Sequence, residues 1–244
     1  MGAPSCGRCP GARFGRGSLT DGDRSAPILA AVSARGADLI GTTVGYAIGS
    51  LPFGVWLGRA KSGLDVRDHG SGSMGTTNVL RIAGPAAGAA VFLLDVAKGG
   101  VAVVVARSLG ADEAGEIAAG LAAVVGHSWP VFAHFRGGKS VATAFGGLLV
   151  LSPVGSVTAV VGGLSALAAS RRMSVGSLTA TSAATVGAGA EWAAGRSDGA
   201  PFAYAVAVTA LIFVRHAPNL RRLMAGTEPK LSLKKKTQAA RPPA

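Results

Sequence analysis

Residues Arg67 to Arg81, RDHGSGSMGTTNVLR, are the most chemically loaded stretch of this 244-residue chain. Gly70, Gly72 and Gly75 free the backbone to take positive φ and to turn successive N–H groups toward one concavity, which suits an anion. Ser71, Ser73, Thr76, Thr77 and Asn78 add hydroxyl and amide groups, and Arg67 and Arg81 add charge. The three glycines match G-x-G-x-x-G in letters. No strand precedes them and no acidic residue follows at the right distance, so a dinucleotide site is not indicated, and the spacing is not that of a Walker loop. The plainer alternative is a solvated membrane loop, because glycine and serine also gather in turns.

Lys139 follows Gly137 and Gly138 at the expected start of a helix, where free N–H groups and the helix dipole favour an anion. Asp95 and Lys98 lie three residues apart inside an apolar segment and so share one helix face. Ionisable groups there are expensive and point to a functional interior, with a structural ion pair as the alternative. His127, His216 and Asn219 could exchange protons or hydrogen bonds with a substrate hydroxyl, although boundary histidines often serve only as structural hydrogen-bonders. Together with Arg67, Arg81, Lys98 and Arg215, these groups favour phosphate or a phosphorylated substrate. Cys6 and Cys9 form a lone CxxC without a second ligand pair, so no metal and no cofactor is expected. His69, His127, His134 and His216 each lack an acidic residue five positions on, which removes the His-x4-Asp acyltransferase motif. The Asp-Gly/Ala-Arg pattern of CDP-alcohol phosphotransferases is missing as well.

The elements that must position these residues are apolar. The chain is 49% hydrophobic and only 15% charged, with mean hydropathy +0.42, whereas soluble domains carry about 25% charged residues. Runs of membrane-spanning length make it an integral membrane protein. The net charge of +12 then belongs to loops that meet anionic headgroups, so membrane lipids and not nucleic acid are its partners. Spans are expected over 37–57, broken near Pro52, then over 84–106, 117–135, 175–190 and 201–214. Between the third of these and residue 169, Ser152-Pro153 splits a further apolar stretch into a hairpin. Loops 58–83, 134–139, 171–172 and the tail are basic, while 107–116 and 191–199 are acidic or mixed. The fold expected is all-α, a polytopic integral membrane bundle of about seven helices, N-terminus outside and C-terminus cytoplasmic. Residues 1–36 read as a disordered extension, 37–228 as the membrane domain and 229–244 as a disordered basic tail.

Four stretches, in order, resemble the bacterial acyl-phosphate:glycerol-3-phosphate acyltransferases of the PlsY type. They are GSLPFG with RDHGSGSMGTTNVLR, FLLDVAKGGVA at 92–102, GHSWPVFAHFRGGKSVAT at 126–143, and RHAPNLRRLMAGTEPK at 215–230. The resemblance implies an enzyme of the bacterial cell membrane with its active site facing the cytoplasm. It would move an acyl group from acyl phosphate to the sn-1 hydroxyl of glycerol 3-phosphate, releasing lysophosphatidic acid and phosphate in phospholipid synthesis. A partner phosphate acyltransferase would supply the acyl phosphate. By similarity, Ser71, Lys139 and His216 belong to the catalytic group. Arg81, Asn219, Gly70, Gly72, Thr77, Asn78, Lys98, His127, Gly137 and Gly138 would bind substrate. The family uses no covalent acyl-enzyme. Three positions depart from its pattern: Ser73 for Asn, Thr76 for Ala and Ser140 for Gly. A Cβ at Ser140 is expected to crowd the backbone near phosphate and alter affinity. The competing function class is a transporter of phosphate esters or other anions, which would call for internal repeats that the two halves lack.

Overall fold

Gly41, Gly45 and Gly49 recur every four residues along the first helix, and that spacing dictates how the bundle closes. The computed structural model describes Gly2 and residues 25–231, with side chains placed from Arg35 onward. Helix α1 (Ser25–Gly49) lays these glycines against α4 (Pro85–Ser108) and α5 (Glu113–Ser128). A Cβ on Gly41 would stand 2.9 Å from that of Ala106, and Cβ atoms on Gly45 and Gly49 would strike the carbonyls of Ala119 and Ala123. Small residues let helix backbones touch where lipid provides no hydrophobic drive for association. The same device joins α4 to α6 (Val141–Leu151), where Gly99 and Gly146 meet the carbonyls of Thr143 and Val96. It also clamps α7 (Pro153–Ser170) to α8 (Met173–Ala193): Cβ atoms on Gly162 and Gly163 would lie 2.8 Å from those of Ala183 and Ala180.

The breaks fall where the prolines require them. Helix α1 stops at Gly49, and α2 (Phe53–Ser62) resumes after Pro52. Pro153 opens α7, with the Ser152 hydroxyl accepting from Gly155 N–H at 3.0 Å. The Glu191 carboxylate contacts the Ser152 hydroxyl and accepts from Val154 N–H, so an acid caps this helix start. Short α3 (Thr76–Ala83) precedes α4, and α9 (Ala200–Arg215) bends by 62° at His216 into α10 (Ala217–Met224). Tyr204 and Ile212 of α9 fill the main core with Val124 and Leu148, while Val55, Val66, Met74 and Val79 form a second cluster beneath the glycine-rich loop.

Helices α1, α4, α5, α6, α7, α8 and α9 run alternately between two ends. One end gathers loop 63–75, loop 129–140, the 171–172 turn and residues 216–229. The other holds 109–112, Ser152 and 194–199. Among the described residues, four helices are long and apolar enough to cross a membrane, five if α9 and α10 count as one bent span. Outside that set are α6, with 11 residues, and α8, whose Ser, Thr and Gly lower its hydropathy. Such a helix can be buried among neighbours without being apolar all round.

The N-terminal expectation needs correction. Residues 25–36, assigned by composition to a disordered extension, are the first turns of α1. SAPILAAVSARG carries four Ala, the best helix former, and Pro27 sits in the first turn, where its missing N–H does no harm. Residues 3–24 of the extension, Cys6 and Cys9 included, and Lys234–Lys236 of the tail lie outside the described residues.

Candidate active site

Helices α3, α6, α8 and α10 all begin at one cavity of about 860 Å³, lined by Thr76 and Thr77, by Lys139 to Ala142, by Met173 and Ser174, and by His216, Pro218 and Asn219. Each start carries unpaired N–H groups and the positive end of a helix dipole, so the cavity is electropositive before any side chain is counted. Arg81, Lys139, Arg215 and Arg222 add four cations to its wall, against the carboxylates of Asp95 and Glu228. The Thr76 hydroxyl makes no hydrogen bond among the described residues, and the buried Ser174 hydroxyl stands beside the Glu228 carboxylate. That is the donor set expected of a phosphate site.

The glycine-rich loop is held by Asn78. Its side-chain nitrogen donates to the carbonyls of Val66 at 2.7 Å, Ser73 at 2.8 Å and His69 at 3.1 Å. Its oxygen accepts from Ser71 N–H at 2.9 Å. Every polar atom of this side chain is spent on the loop, so Asn78 lines the cavity as its organiser. Gly70, at φ +61°, has room for no Cβ above the Asn78 oxygen. Ser73, the departure from Asn, accepts from Gly75 N–H at 3.2 Å and so closes the turn into α3.

Loop 63–75 is tied to loop 129–136 by reciprocal arginines. Arg67 donates to the Ala133 carbonyl at 2.8 Å, and Arg136 donates to the Arg67 carbonyl at 3.1 Å. Arg67 also pairs with Asp65, and its guanidinium holds that carboxyl well below the usual carboxylate range.

The Gly137-Gly138-Lys139 turn lies on His127. Gly138 N–H donates to the His127 carbonyl at 3.0 Å, a Cβ on Gly138 would collide with the His127 ring, and one on Gly137 with the His127 and Ser128 carbonyls. Space, not φ, demands glycine at both positions. From the other side, Arg215 donates to the Gly138 carbonyl at 3.0 and 3.2 Å while stacking 5.1 Å over Trp129. Ser140 follows with φ +62°, a conformation glycine adopts freely. Its hydroxyl turns away to Ser128 Oγ at 2.6 Å and the Val124 carbonyl at 2.8 Å, so α5 takes the extra atoms.

Lys139 projects into the cavity and donates to Asn219 Oδ1. Asn219 in turn donates to Glu228 at 2.7 Å, and Arg222 donates to the other Glu228 oxygen, also at 2.7 Å. Burial lowers the Lys139 ammonium to about 8, helped by Arg222, Arg81 and Arg215 and opposed by Glu228. Burial works to raise the Glu228 carboxyl, but hydrogen bonds from Asn219 and Arg222 hold it below its ordinary value. Sequence reasoning passed over Glu228. The available signal was that it is the single acidic residue after Arg215.

His216 is 2% exposed, and its Nδ1 lies 2.8 Å from the Ile212 carbonyl. A carbonyl only accepts, so Nδ1 carries the proton and neutral His216 keeps its Nε2 lone pair free. Ser71 and Arg81 stand on the exposed rim, and Arg81 makes no ion pair or hydrogen bond among the described residues.

The structure therefore brings Gly70, Ser71, Gly72, Thr77, Asn78, Arg81, His127, Gly137, Gly138, Lys139, His216 and Asn219 to one cavity. Lys98, expected beside them, is not on its wall. Its ammonium pairs with Asp95 at 2.9 Å, donates to the Leu51 carbonyl at 3.2 Å and lies 5.7 Å over the Phe53 ring. It sits at the α1–α2 break, where the Leu51 carbonyl also accepts from Phe53 N–H at 3.1 Å.

These features define an integral membrane protein of all-helical build with a basic cavity at one end. The family model described as glycerol-3-phosphate acyltransferase matches residues 39–226. A glycerol-3-phosphate acyltransferase of Anaeromyxobacter dehalogenans (strain 2CP-C) is 44% identical over 201 residues, 80% of this chain and 98% of that one. One of Ruegeria pomeroyi is 42% identical over 197 residues, 80% of this chain and 94% of the relative. The crystal structure of PlsY (YgiH), an integral membrane glycerol 3-phosphate acyltransferase in its glycerol 3-phosphate form, superposes with TM-score 0.73 and 36% identity. It covers 80% of this chain and 96% of that one. Its lysophosphatidic acid form gives TM-score 0.72 and 35% identity, covering 81% and 97%. The chain belongs to the glycerol-3-phosphate acyltransferase family.

Proposed function

We propose that this protein transfers a fatty acyl group from acyl phosphate to the sn-1 hydroxyl of glycerol 3-phosphate, giving lysophosphatidic acid and inorganic phosphate. The observation that carries the reading is Lys139 at a helix start, flanked by Arg81 and facing a histidine whose Nδ1 is fixed by a carbonyl. Lys139 and Arg81 neutralise substrate phosphate. Ser71 and the Nε2 of His216 hold the attacking hydroxyl. Its oxygen bonds to the acyl carbon, the bond from that carbon to the phosphate oxygen breaks, and phosphate leaves with the electron pair. The hydroxyl proton passes to a phosphate oxygen. The donor is already activated, so positioning and a preorganised positive field supply most of the rate. Asn219 and Glu228 fix the lysine, while Asn78, Gly137, Gly138 and His127 fix the two loops.

Residues 37–228 form the catalytic membrane domain in this reading, and 229–244 a basic tail. The cavity end, with Arg59, Lys61, Arg136, Arg171 and Arg172 near it, faces the cytoplasm of the bacterial cell membrane. That places the N-terminus outside, with seven crossings, and puts the site within reach of a phosphate acyltransferase that makes acyl phosphate.

The test supplies labelled glycerol 3-phosphate with palmitoyl phosphate or palmitoyl-CoA to membranes containing the protein. Lysophosphatidic acid from the phosphate donor alone, lost in Lys139→Ala, is the expected result. Product from the CoA donor alone would overturn the donor, and uptake without lipid product would overturn the chemistry.

A further inference from the structure

The polar cavity continues into an apolar groove of about 430 Å³ between α6, α7 and α8; Phe92, Val141, Ala142, Met173 and Ser177 line both. One side wall is open, with Val160 43% and Leu164 61% exposed on the face of α7 that lipid would cover. The far end is closed. Leu148, Ala159, Ala184 and Val208 meet there, all buried and all part of the main core. Met173 to Ala184 is eleven steps along α8, or ~16 Å at the rise of an α-helix.

We infer that this closed end is a ruler: Ala159 and Ala184, backed by Leu148 and Val208, set the longest acyl chain that reacts well. The inference rests on the acyl transfer proposed above. Its occupant is a saturated acyl tail whose carbonyl end stays in the polar cavity, since the groove has no second polar terminus and the two share a mouth. The ruler is stiff. A Cβ on Gly163 would stand 2.8 Å from that of Ala180, and one on Gly176 3.0 Å from that of Leu167, so α7 and α8 already touch. They leave no slack by which the floor could shift for a longer tail.

Each methylene that finds the groove multiplies kcat/KM by about four, from the free energy of burying one CH2. Ala184→Leu puts three more carbons on the floor. The palmitoyl-to-decanoyl phosphate ratio of kcat/KM should then fall on the order of tenfold or more. The decanoyl value and the KM for glycerol 3-phosphate should stay at the wild-type level. Leu148→Ala should move the ratio of stearoyl to palmitoyl phosphate in the opposite direction. An unchanged ratio in both variants, each monodisperse and active on decanoyl phosphate, would overturn the ruler and leave the proposed reaction standing. Should Ala184→Leu fail to fold, Ala159→Val and Leu148→Ala decide it by the same ratios. Wild-type protein inactive with every acyl phosphate would overturn the reaction itself.

Discussion

Lys139 combines the two properties the site needs, a positive charge at a helix start and a depressed proton affinity. Its value of about 8 has an enzymatic consequence. In the proposed reaction the charged form binds a phosphate dianion, so kcat/KM for glycerol 3-phosphate should level off below about pH 8 and fall as much as tenfold per unit above it. Measured kcat/KM between pH 6 and 10 checks this, and a profile flat through pH 9 would show that the lysine charge is not used. The stability effect has the opposite sense. The unfolded lysine, near 10.5, holds its proton longer than the folded one. Folding should therefore strengthen as pH rises from about 8 to 10. At the same scale, Asn78 and Glu228 act through other residues, one by spending its whole amide on a loop and one by orienting Asn219 beneath the lysine.

The α1–α2 break shows how an element recruits charge. Pro52 interrupts the ladder, the Leu51 carbonyl accepts from Phe53 N–H at 3.1 Å, and the Lys98 ammonium adds a second bond to it while Asp95 neutralises the charge. Lys98→Met should destabilise the protein by about 3–5 kcal/mol, because it strands a buried carboxylate. Asp95→Leu combined with Lys98→Met should recover most of that loss. Thermal unfolding of the purified single and double variants in one detergent makes the comparison. A single variant with wild-type stability and a raised KM for glycerol 3-phosphate would return Lys98 to the substrate site. The glycine seams belong to this scale too, since Gly45 and Gly49 let the α1 backbone touch that of α5 at Ala119 and Ala123.

For the whole molecule the decisive question is which end faces which compartment. The acidic or mixed loops cluster opposite the cavity, and the basic ones surround it. With Cys6 and Cys9 replaced by Ser, Arg196→Cys should react with an impermeant maleimide in intact spheroplasts, and Lys61→Cys only in inverted vesicles; both side chains are exposed. The reverse pattern would invert the proposed orientation.

Much of this was legible in the chain, for physical reasons. Residues such as Lys139, Arg81 and His216 are expensive in an apolar protein, so their presence beside glycines already marks an anion site. Apolar length fixed the all-helical membrane class, because lipid leaves the backbone few other ways to satisfy itself. Spacing along a chain does not report which distant carbonyl a lysine will meet. Lys98 therefore reads as a substrate ligand until the fold sets it over Leu51, and Glu228 reads as tail until the bend at His216 returns it to Asn219. Residue type and hydropathy determined the class of protein and the chemistry it could hold. Only the tertiary structure decided which charges face the cavity, where the Ser140 hydroxyl turns, and how far the apolar groove extends, because contacts between distant segments set all three.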